Sequence, residues 1–204
     1  AIRPVFVEGT LQAFAVSLAH WADIGGAVPG SYVPYATDSW QEGLRVPPIR
    51  LFTSDGPDQE KLDFVLANVR GASEREGDLL AQMASTRSAD LHMRELYARH
   101  GLETVNQAIA ALHDRAEEQM RTAISELPPG EYKGEDWLDD DGIDDRRFAV
   151  RVRIKLNESG AVFDFSDSDD AARGPINSTP FIASAAAFYT MKALAGTDIQ
   201  PNGG

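Results

Sequence analysis

"RRFAVRVRIKL", residues 146–156, alternates apolar and charged side chains. Phe148, Val150, Val152, Ile154 and Leu156 fall on one face, and charged residues mostly on the other. A period of two over such a run is the mark of a half-buried antiparallel strand. Asn157 to Gly160 provide a turn, and "AVFDFS" (161–166) provides the return strand. The loop "DSDDAARGPINS" (167–178) leads into an apolar helix from about Pro180 to Leu194.

Upstream of that hairpin the period changes. Leu62, Val65, Leu66 and Val69 recur at helical spacing, with Pro57 expected as first helical residue and Gly71 as terminator. "SERE", 73–76, reads as a capping box. The helix after it carries Leu80, Met83, Ala84, Arg87 and Leu91 on one stripe and breaks at His100-Gly101. The next helix places Val105, Ile109, Leu112, Ala116, Met120 and Leu127 at steps of three, four and seven, and ends at "PPG". Two such helices in succession predict an antiparallel helical hairpin.

The first residues return to strands. Val5 to Val7 lead to a Glu8-Gly9 turn. Leu11 to Leu18 follow, apolar enough to suggest burial on both faces. The chain thus divides into a strand and loop region (1–53), a helical hairpin (54–130) and a β-hairpin with an apolar helix (131–204). The fold class is α+β, with mixed strand regions flanking a long antiparallel helical hairpin.

Composition narrows the function. Of 204 residues, 32 are acidic and 19 basic, a net charge of −13, which disfavours nucleic acid and anionic membranes as partners. Without cysteine there are no disulfides and no thiolate metal sites. No apolar run approaches the ~18 residues of a membrane span, and "AIRPVFVEG" lacks the regions of a signal peptide. A cytoplasmic protein is expected. The abrupt ends suggest an internal piece of a longer polypeptide.

The chemistry concentrates in "SLAHWADIGGAVPGS", residues 17–31. Imidazole and carboxylate both ligate zinc, manganese or ferrous iron, and His20 and Asp23 could face one point if the chain turns between them. The same residues also suit a strand end and an ordinary turn. Gly25 and Gly26 would let backbone approach a substrate. In "QEGLR" (41–45), Glu42 is a candidate general base. In "ARGPINS" (172–178), Arg173 could clamp an anionic group while Asn177 hydrogen-bonds beside it. Both clusters equally suit loop-pinning. His92, His100 and His113 read as solvated helix residues.

Other motifs fail. Aligned on Gly142, "WLDDDGIDD" would put Trp137 and Phe148 at the calcium-ligand ends, and "DFSDSDD" would put Asp169 at the invariant glycine. There is no GxxxxGK[ST], GxGxxG or GxSxG.

"AHWADIGGAVPGS", "QEGLRVPPIRLF", "LANVRGASEREGDLLAQ", "RHGLETV", "LPPGEYKGEDWLDDDG" and "VFDFSDSD…RGPIN" occur together and in order. With them the chain resembles the B subunit of the hydantoinase/oxoprolinase family, over nearly its whole length. The resemblance implies a companion A subunit that binds ATP, a hetero-oligomer, and ring opening of cyclic amides such as hydantoins, 5-oxoproline or lactams. It also implies a divalent metal, with His20 and Asp23 as two ligands and the rest in an acidic and a "THLPD"-like segment that this chain lacks. On that reading Glu42 moves protons or positions substrate, and Gly25, Gly26, Arg173 and Asn177 line the substrate site. Trp21 stands where many relatives carry a smaller or polar residue. "FSDSD" departs from a commoner "FSGTS" pattern and puts Asp167 in place of glycine. Two further readings stay open: a subunit of an ATP-dependent ketone carboxylase of the acetone or acetophenone type, and a noncatalytic scaffold for the ATP-binding subunit.

Overall fold

The computed structural model describes residues 1–157, 160–196 and 198–203. The class is α+β, as the sequence patterns indicate: among the described residues there are four helices and small antiparallel sheets. Two compact units divide the chain, Ala1–Val105 and Asn106–Gly204.

In the first unit, β1 (Ile2–Val7) and β2 (Thr10–Val16) pair as an antiparallel ribbon. Glu8 and Gly9 connect them with φ of 52° and 77°, both left-handed, as a two-residue primed turn requires. Val5 and Ala15 are buried, while Phe14 and Val16 on the opposite face are 61% and 65% exposed. The expectation that this strand is buried on both faces is therefore corrected. A two-stranded ribbon covered on one side leaves the other open.

The covering element is a helix. A short ladder, β3 (Phe52–Thr53) with β4 (Gly56–Pro57), comes first and takes up Pro57, the residue expected to begin a helix. α1 (Gln59–Leu66) starts instead at an Asp58 cap, whose carboxylate accepts from the Lys61 amide at 3.3 Å. It stops well before Gly71. That glycine, at φ 66°, precedes α2 (Ala72–His100), and its carbonyl accepts from the amides of Glu74 and Arg75. The capping box at Ser73 and Glu76 is not made, because both residues already lie inside the helix.

α2 packs on β1, β2 and α1. Its buried residues are Arg75, Leu79, Thr86, Asp90 and Tyr97, at steps of four and seven, while Leu80 and Leu91 of the apolar stripe are exposed. The polar members are satisfied within the helix: Arg75 pairs with Asp78 at 2.8 Å, Thr86 donates to the Met83 carbonyl, and Asp90 accepts from Arg94 at 2.7 Å. The break at Gly101 (φ 81°) falls where expected, and α3 (Leu102–Ser125) follows. The second unit begins inside α3, at Asn106.

In the second unit a three-stranded antiparallel sheet runs β5 (Gly130–Leu138), β6 (Phe148–Asn157), β7 (Gly160–Asp164), in that order. β6 is the alternating stretch of residues 146–156. Positions 158 and 159 of the expected turn lie outside the described residues. The charged face of β6 is tied down by ion pairs of Arg151 with Glu135 and Asp169, and of Arg153 with Asp164 and Asp167. α4 (Pro180–Ala195) has proline in its first turn and spans the expected apolar helix.

Candidate functional site

The ribbon delivers the chain to a loop after Val16. Residues on either side of His20 are anchored to α2 by one side chain. Gln82 accepts from the Trp21 indole at 3.2 Å and donates to the Ser17 carbonyl at 3.1 Å. His20 itself is exposed, and its imidazole makes no hydrogen bond among the described residues.

Asp23 is the opposite case, 6% exposed. One carboxylate oxygen accepts from the amides of Gly25 (2.7 Å) and Arg70 (3.1 Å). The other accepts from the Gly30 amide (2.8 Å) and the Arg70 guanidinium (3.2 Å). The Gly25 amide foremost, then those of Gly30 and Arg70, hold the carboxyl far below its ordinary value of 3.8. Arg70 continues along the loop and donates to the carbonyls of Gly25, Gly26 and Val28. Ser31 closes it, accepting from the Ile24 amide and donating to the Gly25 carbonyl, both at 2.8 Å.

Gly25 and Gly26, expected to bring backbone close to a substrate, bring it close to the protein's own backbone. Their φ values are 88° and 84°. A Cβ on Gly25 would sit 2.5 Å from the Asn68 carbonyl oxygen, and one on Gly26 2.6 Å from that of Gln41. The glycines therefore let the loop seat against residues 41–42 and 68. Bonds from Ala27 to Gln41 (2.8 Å) and from Leu44 to Ile24 (2.7 Å) complete the seam. Glu42 is thereby carried beside the glycine loop. Its carboxylate is exposed and makes no hydrogen bond among the described residues. Behind the seam lies an apolar cavity of about 160 Å³ walled by Trp21, Ile24, Leu44, Val65, Val69 and Leu79.

Arg173 and Asn177 belong to the second unit. Arg173 pairs with Asp144 at 2.9 Å. Asn177 accepts from the Ala172 amide and donates to the carbonyls of Ala172 and Gly174. Both pin a loop around Asp141, which is 1% exposed. Asp141 accepts from the amides of Ile143, Asp144 and Gly174, at 2.9, 2.6 and 2.8 Å. These bonds, Asp144 foremost, lower its pKa from 3.8 to about 2. A Cβ on Gly174 would fall 1.8 Å from the Asp141 carbonyl oxygen.

Asp23 does not fit a metal. A ligating carboxylate needs a free lone pair, and both Asp23 oxygens are each taken by two N–H donors, one from a guanidinium. Among the described residues no three His, Asp or Glu side chains cluster as a metal site. Of the two expected ligands, His20 is the one that keeps an available donor atom among the described residues.

Arg70, Gln82 and Asp141 escaped the sequence reading. Arg70 stands at the end of a stretch whose apolar spacing reads as helix, Gln82 on an unremarkable helix turn, and Asp141 in an acidic run that resembles solvated surface.

Comparison with known proteins bears out the family resemblance. The beta subunit of caprolactamase from Pseudomonas jessenii is 34% identical over 77% of this chain and 27% of its own length. The B-type subunit of a D-/L-hydantoinase, a putative one, from Pseudomonas sp. (strain NS671) is 32% identical over 85% of this chain and 30% of its own. The crystal structure of the ATP-dependent caprolactamase from Pseudomonas jessenii superposes with a TM-score of 0.84 at 30% identity, covering 92% of this chain and 32% of that one. The chain thus spans about a third or less of the length of these relatives. The sequence profile described as hydantoinase B/oxoprolinase matches residues 1–204. With the matched residues running from end to end, the chain belongs to the hydantoinase B/oxoprolinase family.

Proposed function

We propose that this chain is part of the B-type subunit of an ATP-dependent hydrolase that opens cyclic amides. The observation that carries this reading is the likeness to caprolactamase, in sequence over 77% of this chain and in fold over 92% of it. A companion subunit would bind ATP and activate the ring amide, whose resonance otherwise resists water.

The residues of this chain then have separate tasks. His20 and Glu42, both exposed and without hydrogen bonds among the described residues, face the reaction. When the ring C–N bond breaks, its nitrogen takes up a proton, and Glu42 is the proposed carrier. His20 binds the activated carbonyl or supplies the one donor this motif has for a metal. The apolar cavity beside Trp21 suits hydrocarbon rather than charge. Asp23, Gly25 and Gly26 hold the loop, and no metal step runs through Asp23.

The test uses the full-length subunit with its ATP-binding companion, supplied with ATP and caprolactam, a hydantoin or 5-oxoproline. Release of the ring-opened product is expected, falling about 100-fold or more in Glu42→Gln. Full activity in both Glu42→Gln and His20→Ala would move the chemistry off this chain and favour a scaffold role.

A further inference from the structure

The Arg70 guanidinium is surrounded by oxygens. Asp23 Oδ2 lies at 3.2 Å, and the carbonyl oxygens of Gly25, Gly26 and Val28 lie at 3.3, 2.8 and 2.9 Å. One carboxylate and three carbonyls in a tight turn are the donors that a cation site would offer. Here a side-chain cation from a distant position already fills it. The Arg70 backbone amide adds a bond to the other Asp23 oxygen at 3.1 Å. Asp23 is buried, whereas the Arg70 side chain is 44% exposed, so the cage opens to solvent through the arginine.

We propose that Asp23 and Arg70 form a positioning latch: the guanidinium is the resident cation of the Asp23–Val28 cage, Asp23 ligates no metal, and the pair sets the glycine loop between His20 and Glu42. A divalent ion on Asp23 would need an oxygen at roughly 2.0–2.2 Å and would sit beside a fixed positive charge. Both conditions oppose it. The loop has no helix or sheet to hold its course, so its backbone depends on Asp23, Arg70 and Ser31 together with the seam to Gln41 and Leu44. Arg70 spends its donors on Asp23 and on the carbonyls of Gly25, Gly26 and Val28, and so acts through the loop. The inference deepens the hydrolase reading and rests on it for its kinetic arm only.

The experiment takes Arg70→Ala, Arg70→Lys and Asp23→Asn in the full-length subunit assembled with its companion. Thermal stability, lactam-hydrolysis kinetics and metal per chain are measured. Arg70→Ala should lower Tm and reduce kcat/KM by about 10- to 100-fold, because displaced loops cost that much. Millimolar methylguanidinium should recover part of both by refilling the cage, whereas urea should not. Arg70→Lys, with one charged point instead of a fork, should fall between parent and alanine variant. Asp23→Asn should keep the parent's metal content, even if that content is zero, while losing stability.

Loss of metal in Asp23→Asn with retention in Arg70→Ala would make Asp23 a ligand and overturn the proposal. An unchanged Tm in Arg70→Ala, or no recovery with methylguanidinium, would overturn it too. If Arg70→Ala does not fold, the Arg70→Lys and Asp23→Asn measurements decide. Absence of hydrolysis in the parent would count against the hydrolase reading alone, since Tm and its recovery still judge the latch.

Discussion

At the scale of single residues, two buried aspartates organise the loops that the motifs occupy. Asp23 and Asp141 each collect N–H donors from more than one stretch of chain. A carboxylate does this better than a neutral side chain because it is an acceptor at every lone pair. The cost is acid sensitivity. Both groups are held below the ordinary 3.8, Asp141 at about 2. The stabilisation from Asp141 is present above its ordinary 3.8 and is lost as pH falls toward 2, where the unfolded chain binds protons that the folded one resists, and that from Asp23 is lost at still lower pH. Denaturation followed against pH should therefore show stability dropping below about pH 4. Asp141→Asn should flatten that drop and lower Tm at neutral pH by on the order of 5 °C. An acid slope identical in parent and variant would mean that Asp141 does not set it. Gly174→Ala should also destabilise, since its new methyl group meets the Asp141 backbone carbonyl and something must shift.

At the scale of elements, α2 is the beam of the first unit. Periodicity drew attention to Leu80, Met83 and Leu91, yet the buried line runs through Arg75, Leu79, Thr86, Asp90 and Tyr97. A narrow β-ribbon covers only a thin stripe of a helix, and internal hydrogen bonds let polar side chains occupy it. Leu79 is the apolar residue of that line that also walls the cavity behind Trp21. Leu79→Ala should cost roughly 2–5 kcal/mol in a urea titration. Leu80→Ala, on the exposed side, should cost well under half as much. Equal losses would place the buried stripe elsewhere. Gln82→Ala should leave α2 stable while loosening the strand end, visible as faster amide exchange at Trp21 and Ser17.

At the scale of the whole molecule, the outer faces carry much exposed apolar surface. On α4, Phe181, Phe188 and Tyr189 are 82%, 73% and 77% exposed, and only Met191 is buried. An apolar surface of that kind drives association in water. The 204-residue chain should self-associate at micromolar concentration despite its net charge of −13. A Phe181→Ser/Phe188→Ser variant should elute from size exclusion closer to monomer mass. A parent that is monomeric throughout the range would mean that α4 is covered in solution. No helix among the described residues is long and apolar enough to cross a membrane.

What the sequence by itself determined is local. The alternation from Phe148 to Leu156, the apolar helix after Pro180, the break at Gly101 and the ordered motifs of the family are all written in neighbouring residues, because pleat, helix period and backbone freedom act over a few positions. The tertiary structure alone decided how Asp23, Gly25 and Gly26 are held in the loop. Their type and spacing suit both a metal site and a tethered turn. The choice falls to Arg70, 47 positions away from Asp23. No pattern along the chain announces a partner at that separation, since hydrogen bonds and burial depend on distance in space and not on distance in sequence.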